Sequence, residues 1–364
     1  MTSLRVLIAG GGTGGHLFPG IAVAEEIRAR GGEVSFVGTA RGIEAKILPR
    51  LELPLDLIQM HGLVRTGWKE RLRFLWDAPA SLVQVARILR RRRPHVVVGV
   101  GGYASGPVVM SSALGFLPTA VLEQNSIPGI TNRILGRVVK RVFASFKESI
   151  RYFPRRKVEL TGNPVRRQIV ESLSRASGGQ HGDRLRVLAF GGSQGARFIN
   201  ETLMAAAPKL ARMPIELTHQ TGEADHARVQ EAYRAAGLEA EVLPFIDDMA
   251  ARYSASDLIL SRAGATTLAE LAIVGRPAIL VPFPFATHNH QELNAREVER
   301  AGAALCCPQP TLEGDRLVEI LGELEADPDR RSRMAAAMRA LGRPEAARQI
   351  VDGLEELANA RRRS

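Results

Sequence analysis

The chain has 364 residues, 45% of them hydrophobic and 5% aromatic, with a formal charge of +11 at pH 7. That length suits two ordinary domains, no apolar run reaches the roughly 18 residues of a spanning helix, and the charge favours anionic partners. The two cysteines, Cys306 and Cys307, are adjacent, which fits a reducing cytoplasm better than a disulfide framework or a metal site.

The chain opens on LRVLIA (4–9), an apolar run that predicts a buried strand with no signal peptide before it. GGGTGGH (10–16) follows, then a helical pattern ending at Gly31-Gly32. A bare turn between strand and helix presents backbone N–H groups to an anion such as phosphate. Gly10, Gly12 and Gly15 also satisfy G-x-G-x-x-G, the dinucleotide fingerprint. That reading wants a carboxylate at the end of the second strand, and EVSFVGT (33–39) ends in Gly38-Thr39 with Arg41 beyond.

Basic clusters follow at RILRRRRP (87–94) and RYFPRRK (151–157), and another closes the chain at 361–363. With few aromatics and no helix-turn-helix, zinc spacing or RNP motif, nucleic acid is not the expected partner. Strand patterns continue at VVVGVGG, TAVLEQN and RVFAS. A polar, Gly-rich connection spans residues 161–184, and the opening then repeats: RLRVLAF (184–190), GGSQGA (191–196) and a helix to about Arg212. Two doubly wound α/β domains facing across a cleft are the expected architecture.

GGSQG also matches the G-x-S-x-G elbow of hydrolases, with Ser193 as nucleophile and Asp247 with His288 or His290 as partners. Ser193 as a phosphate-binding hydroxyl explains the same residues and the first loop as well. Further strands read at IELTHQ, EVLPF, LILSRAG and PAILVPF. SRAGATTLAE (261–270) is another glycine turn into a helix, suited to a diphosphate, with Glu270 placed for ribose hydroxyls. His288, His290, Gln291 and Asn294 can read sugar hydroxyls near the next strand end. The DPD at 327–329 resembles a metal-binding D-x-D, but it precedes a helical run and reads as a helix cap.

GGGTGGH, GGYAS (101–105), EQN (123–125), TGNPVR (161–166), GGSQGA, FIDDM (245–249), SRAGATTLAE and HQELNA (290–295) resemble, in this order and over nearly the whole chain, the MurG family. These are bacterial transferases that add N-acetylglucosamine to lipid I. The resemblance implies a GT-B fold, inversion at the anomeric carbon, and a peripheral site on the inner face of the cytoplasmic membrane. It implies an acceptor and membrane-side domain at 1–162, a UDP-sugar domain at 163–340, and a helix at 341–364 packing back toward the first.

By the same resemblance the donor is UDP-N-acetylglucosamine. Ser193, Arg262, Ala265 and Thr266 meet its diphosphate, Ile246 the uracil, Glu270 the ribose and Gln291 the sugar. Thr13, Gly14, Gly15, Asn125 and Arg166 complete the donor site. The acceptor diphosphate lies at Gly12, His16, Tyr103 and Ser105. His16 is the candidate base, with Glu123 and His290 as competitors. Many members carry His before EQN, where this chain has Leu122. No cofactor and no metal are expected, and nothing names a protein partner. Alternatives are a related GT-B enzyme, such as a 2-epimerase or a transferase to another lipid, and a non-catalytic peripheral binder.

The membrane contact is expected in 67–94, where Trp68, Leu72, Leu75 and Trp76 share a helical face beside Lys69, Arg71 and Arg73. A core-facing stripe is the other reading of that face. Aromatics at headgroup level and basic residues on anionic lipid would fit an interfacial patch.

Overall fold

The computed structural model describes residues 3–40, 42–59, 81–175, 184–192 and 195–363. The chain forms two compact units, one of Met1–Arg166 with Pro344–Ser364 and one of Arg167–Arg343.

The first unit is built on a seven-stranded sheet of order β3-β2-β1-β4-β5-β6-β7. The strands are β1 (Arg5–Gly10), β2 (Glu33–Gly38), β3 (Leu55–Leu57), β4 (Val96–Gly101), β5 (Thr119–Glu123), β6 (Arg141–Ala144) and β7 (Val158–Leu160). Every pairing is parallel. Parallel sheets are covered on both faces, so their central strands are continuous apolar runs; all six residues of β4, VVVGVG, are buried. The helices are α1 (Gly14–Ala29), α2 (Glu44–Ile47), α3 (residues 81–92), α4 (Ser105–Leu114) and α5 (Ile130–Val138). The β1–β4 register shifts at its end, with Ala9 opposite Gly99 but Gly10 opposite Gly101. The chain order reverses between β1 and β4, where open α/β sheets bind ligands at the carboxyl ends of their strands.

The second unit repeats this plan. Helix α6 (Arg167–Arg175) leads to β8 (Leu185–Phe190), α7 (Arg197–Leu210), β9 (Ile215–Gln220), α8 (His226–Ala236), β10 (Ala240–Leu243) and α9 (Met249–Ala255). Then come β11 (Leu258–Ser261), α10 (Ala265–Val274), β12 (Ala278–Leu280), α11 (His290–Arg300), β13 (Ala304–Cys306), α12 (Gly314–Ala326) and α13 (Pro328–Ala340). The sheet order is β10-β9-β8-β11-β12-β13, all parallel, with its switch point between β8 and β11. Asp327 of the DPD caps α13, its Oδ1 accepting from the Arg330 N–H at 2.7 Å.

The last helix, α14 (Ala346–Arg363), belongs to the first unit. Its Ile350, Val351, Leu354 and Ala358 share one buried cluster with Val6, Ile8 and Phe36. Each fully buried aliphatic side chain contributes about 1.5–3 kcal/mol, so this face anchors the helix. Arg30 reaches Asp352 at 2.6 Å and Arg141 reaches Glu356 at 2.9 Å at its rim.

Candidate functional site

The first switch point is flanked by the glycine turn after β1 and the GGYAS turn after β4. The two turns touch. The Gly11 N–H donates to the Gly101 carbonyl at 3.2 Å. A Cβ on Gly102, at φ +79°, would stand 2.4 Å from the Gly11 carbonyl oxygen. Only glycine permits that conformation and approach together. Thr13 caps α1 through its backbone alone, and the N–H groups of His16 and Leu17 both donate to its carbonyl.

A carboxylate stands at the end of β2, brought there by Glu44. It is 1% exposed. Its Oε2 accepts from the Gly12 N–H at 2.7 Å, and its Oε1 accepts from the Thr39 N–H at 2.9 Å and the Thr39 hydroxyl at 3.1 Å. A Cβ added at Gly11, Gly38 or Gly42 would lie 2.4, 2.5 or 2.0 Å from this side chain. The glycines therefore make room for a buried acid as well as shaping the turn. The strand itself ends in Gly38-Thr39 without a carboxylate for a ribose; Glu44 comes from a separate short helix, and Gly12 and Thr39 take both its oxygens. It also occupies the Gly12 N–H that was expected to meet the acceptor diphosphate.

His16 lies over the same junction. Its Nδ1 is 3.3 Å from Gln124 Oε1, while Gln124 Nε2 donates to the Val100 carbonyl at 3.1 Å. A Cβ at Gly101 would fall 2.6 Å from Nδ1, so that turn also leaves space for the ring. Tyr103 is half exposed, whereas Ser105 has no exposed surface. The Arg166 guanidinium stacks over Phe18 at 4.6 Å.

Glu123, 2% exposed, ends β5. One oxygen accepts from the Asn125 N–H at 2.9 Å and the other from Asn132 Nδ2 at 2.9 Å. Burial raises its pKa from 4.5 to about 7, against the opposing effect of these hydrogen bonds. The folded protein thus holds this proton more tightly than the unfolded chain between about pH 4.5 and 7. Stability falls as pH rises through that window, by about 3 kcal/mol, and levels off above it. In urea unfolding at about pH 5 and pH 8, the stability of the wild type relative to Glu123→Gln should drop by that order. An unchanged difference would contradict the raised pKa.

In the second unit, the turns after β8 and β11 flank the other switch point. Ser193 lies outside the described residues, so neither its hydrolase reading nor its phosphate reading has a geometry. Beside it, a Cβ on Gly195, at φ +74°, would stand 1.9 Å from the Thr221 carbonyl oxygen. Helix α10 starts at Ala265 and Thr266 with no side-chain cap. Arg262 donates to the carbonyls of Val281 and Pro282 at 3.1 and 3.2 Å and to Gln309 Oε1 at 3.3 Å. Burial lowers its pKa to about 10, still protonated at neutral pH. A half-buried cation held by neutral oxygens and by the Phe283 ring, 5.4 Å away, at a strand end is suited to an anionic ligand.

Glu270 is buried, with Oε2 accepting from the Tyr253 hydroxyl at 2.9 Å. Ile246 is buried in the loop after β10, beside exposed Phe245. Gln291 Oε1 accepts from the Phe283 N–H at 2.9 Å, and His290 Nδ1 lies 2.7 Å from the Thr287 carbonyl. Among the described residues no group of three or more His, Cys, Asp or Glu is placed to hold a metal ion.

Residues 6–144 match the glycosyltransferase family 28 N-terminal domain, and residues 186–350 match its C-terminal domain. The chain is 50% identical over 98% of its length, and 94% of the relative's, to the UDP-N-acetylglucosamine–N-acetylmuramyl-(pentapeptide) pyrophosphoryl-undecaprenol N-acetylglucosamine transferase of Anaeromyxobacter dehalogenans. It is 47% identical to the protein of the same name from Myxococcus xanthus, over 96% of this chain and 92% of that one. Among solved structures it is similar to Acinetobacter baumannii MurG, with TM-score 0.78 and 32% identity over 97% of this chain and 99% of that one.

The chain belongs to the MurG branch of glycosyltransferase family 28. Its two parallel-sheet halves are those of the GT-B class, as the resemblance implied. As a MurG-family glycosyltransferase it is neither a dinucleotide-dependent enzyme nor a serine hydrolase. Gln124, Asn132 and Tyr253 escaped the sequence reading. Gln124 lies inside the EQN motif, Asn132 follows it within the next helix, and Tyr253 follows FIDDM. Their roles come from hydrogen bonds that no spacing announces.

Proposed function

We propose that the chain transfers N-acetylglucosamine from UDP-N-acetylglucosamine to the muramoyl sugar of lipid I, forming lipid II for peptidoglycan synthesis. The observation that carries this reading is full-length similarity to relatives named for that transfer, joined to a glycine turn at both switch points. The transfer is a single inverting displacement. The acceptor oxygen bonds to the anomeric carbon, the bond to UDP breaks with its electron pair, and His16 takes the acceptor proton.

The donor diphosphate meets Ser193, Arg262 and the α10 N-terminus at Ala265 and Thr266, where helix dipole and guanidinium stabilise the leaving charge. Ile246 takes the uracil, Glu270 the ribose and Gln291 the sugar; Thr13, Gly14, Gly15, Asn125 and Arg166 complete this set. The acceptor diphosphate lies by Tyr103, Ser105 and His16, beside the Gly12 turn, whose own N–H Glu44 already holds. A fixed cation makes a metal unnecessary. Transfer of labelled N-acetylglucosamine to a lipid I analogue in excess EDTA tests both points. Product in full yield is expected; loss restored only by Mg²⁺ or Mn²⁺ would remove the metal-free part, and no product with either would remove the transferase reading.

No helix among the described residues is long and apolar enough to cross a membrane. We place the chain on the anionic cytoplasmic face as a peripheral protein. The Trp68–Trp76 stretch expected to make this contact lies outside the described residues. A second feature supports the reading: Ile130, Ile134 and Val138 form an exposed stripe along α5, with Arg133 and Arg137 beside it. Phe116, just past α4, is 90% exposed. Replacing Trp68 and Trp76, or Ile130 and Ile134, by Ser should weaken binding to phosphatidylglycerol vesicles by about tenfold with melting temperature unchanged. Unfolding of the tryptophan variant would instead favour a core role for that segment.

A further inference from the structure

We infer that Gln124 is a positioning residue that sets the tautomer of His16, placing the proton on Nδ1 and the lone pair on Nε2. The proposal rests on the reading of His16 as the base only for its kinetic consequence.

The Val100 carbonyl can only accept, so the Gln124 amide must present its NH₂ group there, and it does so at 3.1 Å. That contact fixes the orientation of the whole amide. Its other end, Oε1, faces His16 Nδ1 at 3.3 Å. A carbonyl oxygen can only accept, so the nitrogen facing it must carry the hydrogen. In the neutral ring the second nitrogen, Nε2, then holds the lone pair that a general base needs.

The surroundings keep this arrangement from rotating away. Gln124 is 1% exposed. Gly101 lets the ring lie against its backbone on the Nδ1 side, where an added Cβ would come within 2.6 Å. The Val100 carbonyl belongs to β4, a fully buried central strand. Gln124 is thus oriented by the sheet, and His16 by Gln124. A glutamine does this without adding a charge, so the imidazole keeps a neutral partner on its Nδ1 side.

Long-range ¹⁵N–¹H correlation spectra of protein labelled at histidine nitrogen read the tautomer directly, without activity. The wild type above the histidine titration should show His16 protonated at Nδ1. Gln124→Met keeps the volume and removes the acceptor, and there the ring should move toward the Nε2–H form that free imidazole side chains favour. Protonation at Nε2 in the wild type would overturn the proposal, even if the variant fails to fold. So would an Nδ1–H signal that persists in folded Gln124→Met.

The kinetic arm is separate. In Gln124→Met, kcat should fall about tenfold, the population shift expected for one ordinary hydrogen bond, with donor KM changed less than about twofold. A tautomer switch with unchanged kcat would uphold the Gln124 assignment and remove His16 as base. His16→Ala reports on that base reading independently of the tautomer.

Discussion

His16→Ala is expected to lower kcat by about 10²–10⁴-fold, the usual worth of general base catalysis, with donor KM nearly unchanged. The acidic limb of the kcat profile should vanish with it. The competing carboxylate is poorly placed for this task. Glu123 has 2% of its surface exposed and directs both oxygens at Asn125 and Asn132. His290 stands at the first residue of α11, turned to the Thr287 carbonyl. If His16→Ala instead raises acceptor KM and keeps the acidic limb, the ring is a diphosphate ligand and another group takes the proton.

Glu44→Gln should destabilise the protein by about 2–4 kcal/mol and raise acceptor KM at the same time. The carboxylate accepts on both oxygens, from Gly12 on one and from Thr39 twice on the other. A glutamine must turn its NH₂ toward one of these donors. Either the Gly12 N–H or the Thr39 N–H then loses its acceptor in a space with 1% exposure. Gly11, Gly38 and Gly42 leave room for this side chain only because they lack a Cβ. Urea unfolding measures the first effect and acceptor titration the second. A variant with wild-type stability would show that the turn holds its shape without Glu44.

The halves of the fold were readable because parallel strands are buried on both faces and so print as apolar runs. VVVGVG became β4 and LRVLAF became β8. Of the three-residue strands, β12 was readable because it lies inside the longer apolar run PAILVPF, whereas the equally short β3, β7 and β13 were not. The turns were legible by their glycines, and the family resemblance supplied roles that spacing alone left open. What the glycines enclose was not legible. Glu44 sits five residues beyond Thr39 and 32 beyond Gly12, and only chain closure brings the three together. Gln124 stood inside a quoted motif, yet its task depends on which carbonyl holds its amide.

The proposed reaction transfers a sugar from a UDP-sugar to a lipid-linked diphosphate sugar. UDP release is the most direct measure of it, followed continuously with purified protein, UDP-N-acetylglucosamine and a lipid I analogue. One UDP is expected for each acceptor consumed, with no appreciable release before acceptor is added. Release at the same rate without acceptor, or none with it, would contradict transfer to the lipid-linked sugar.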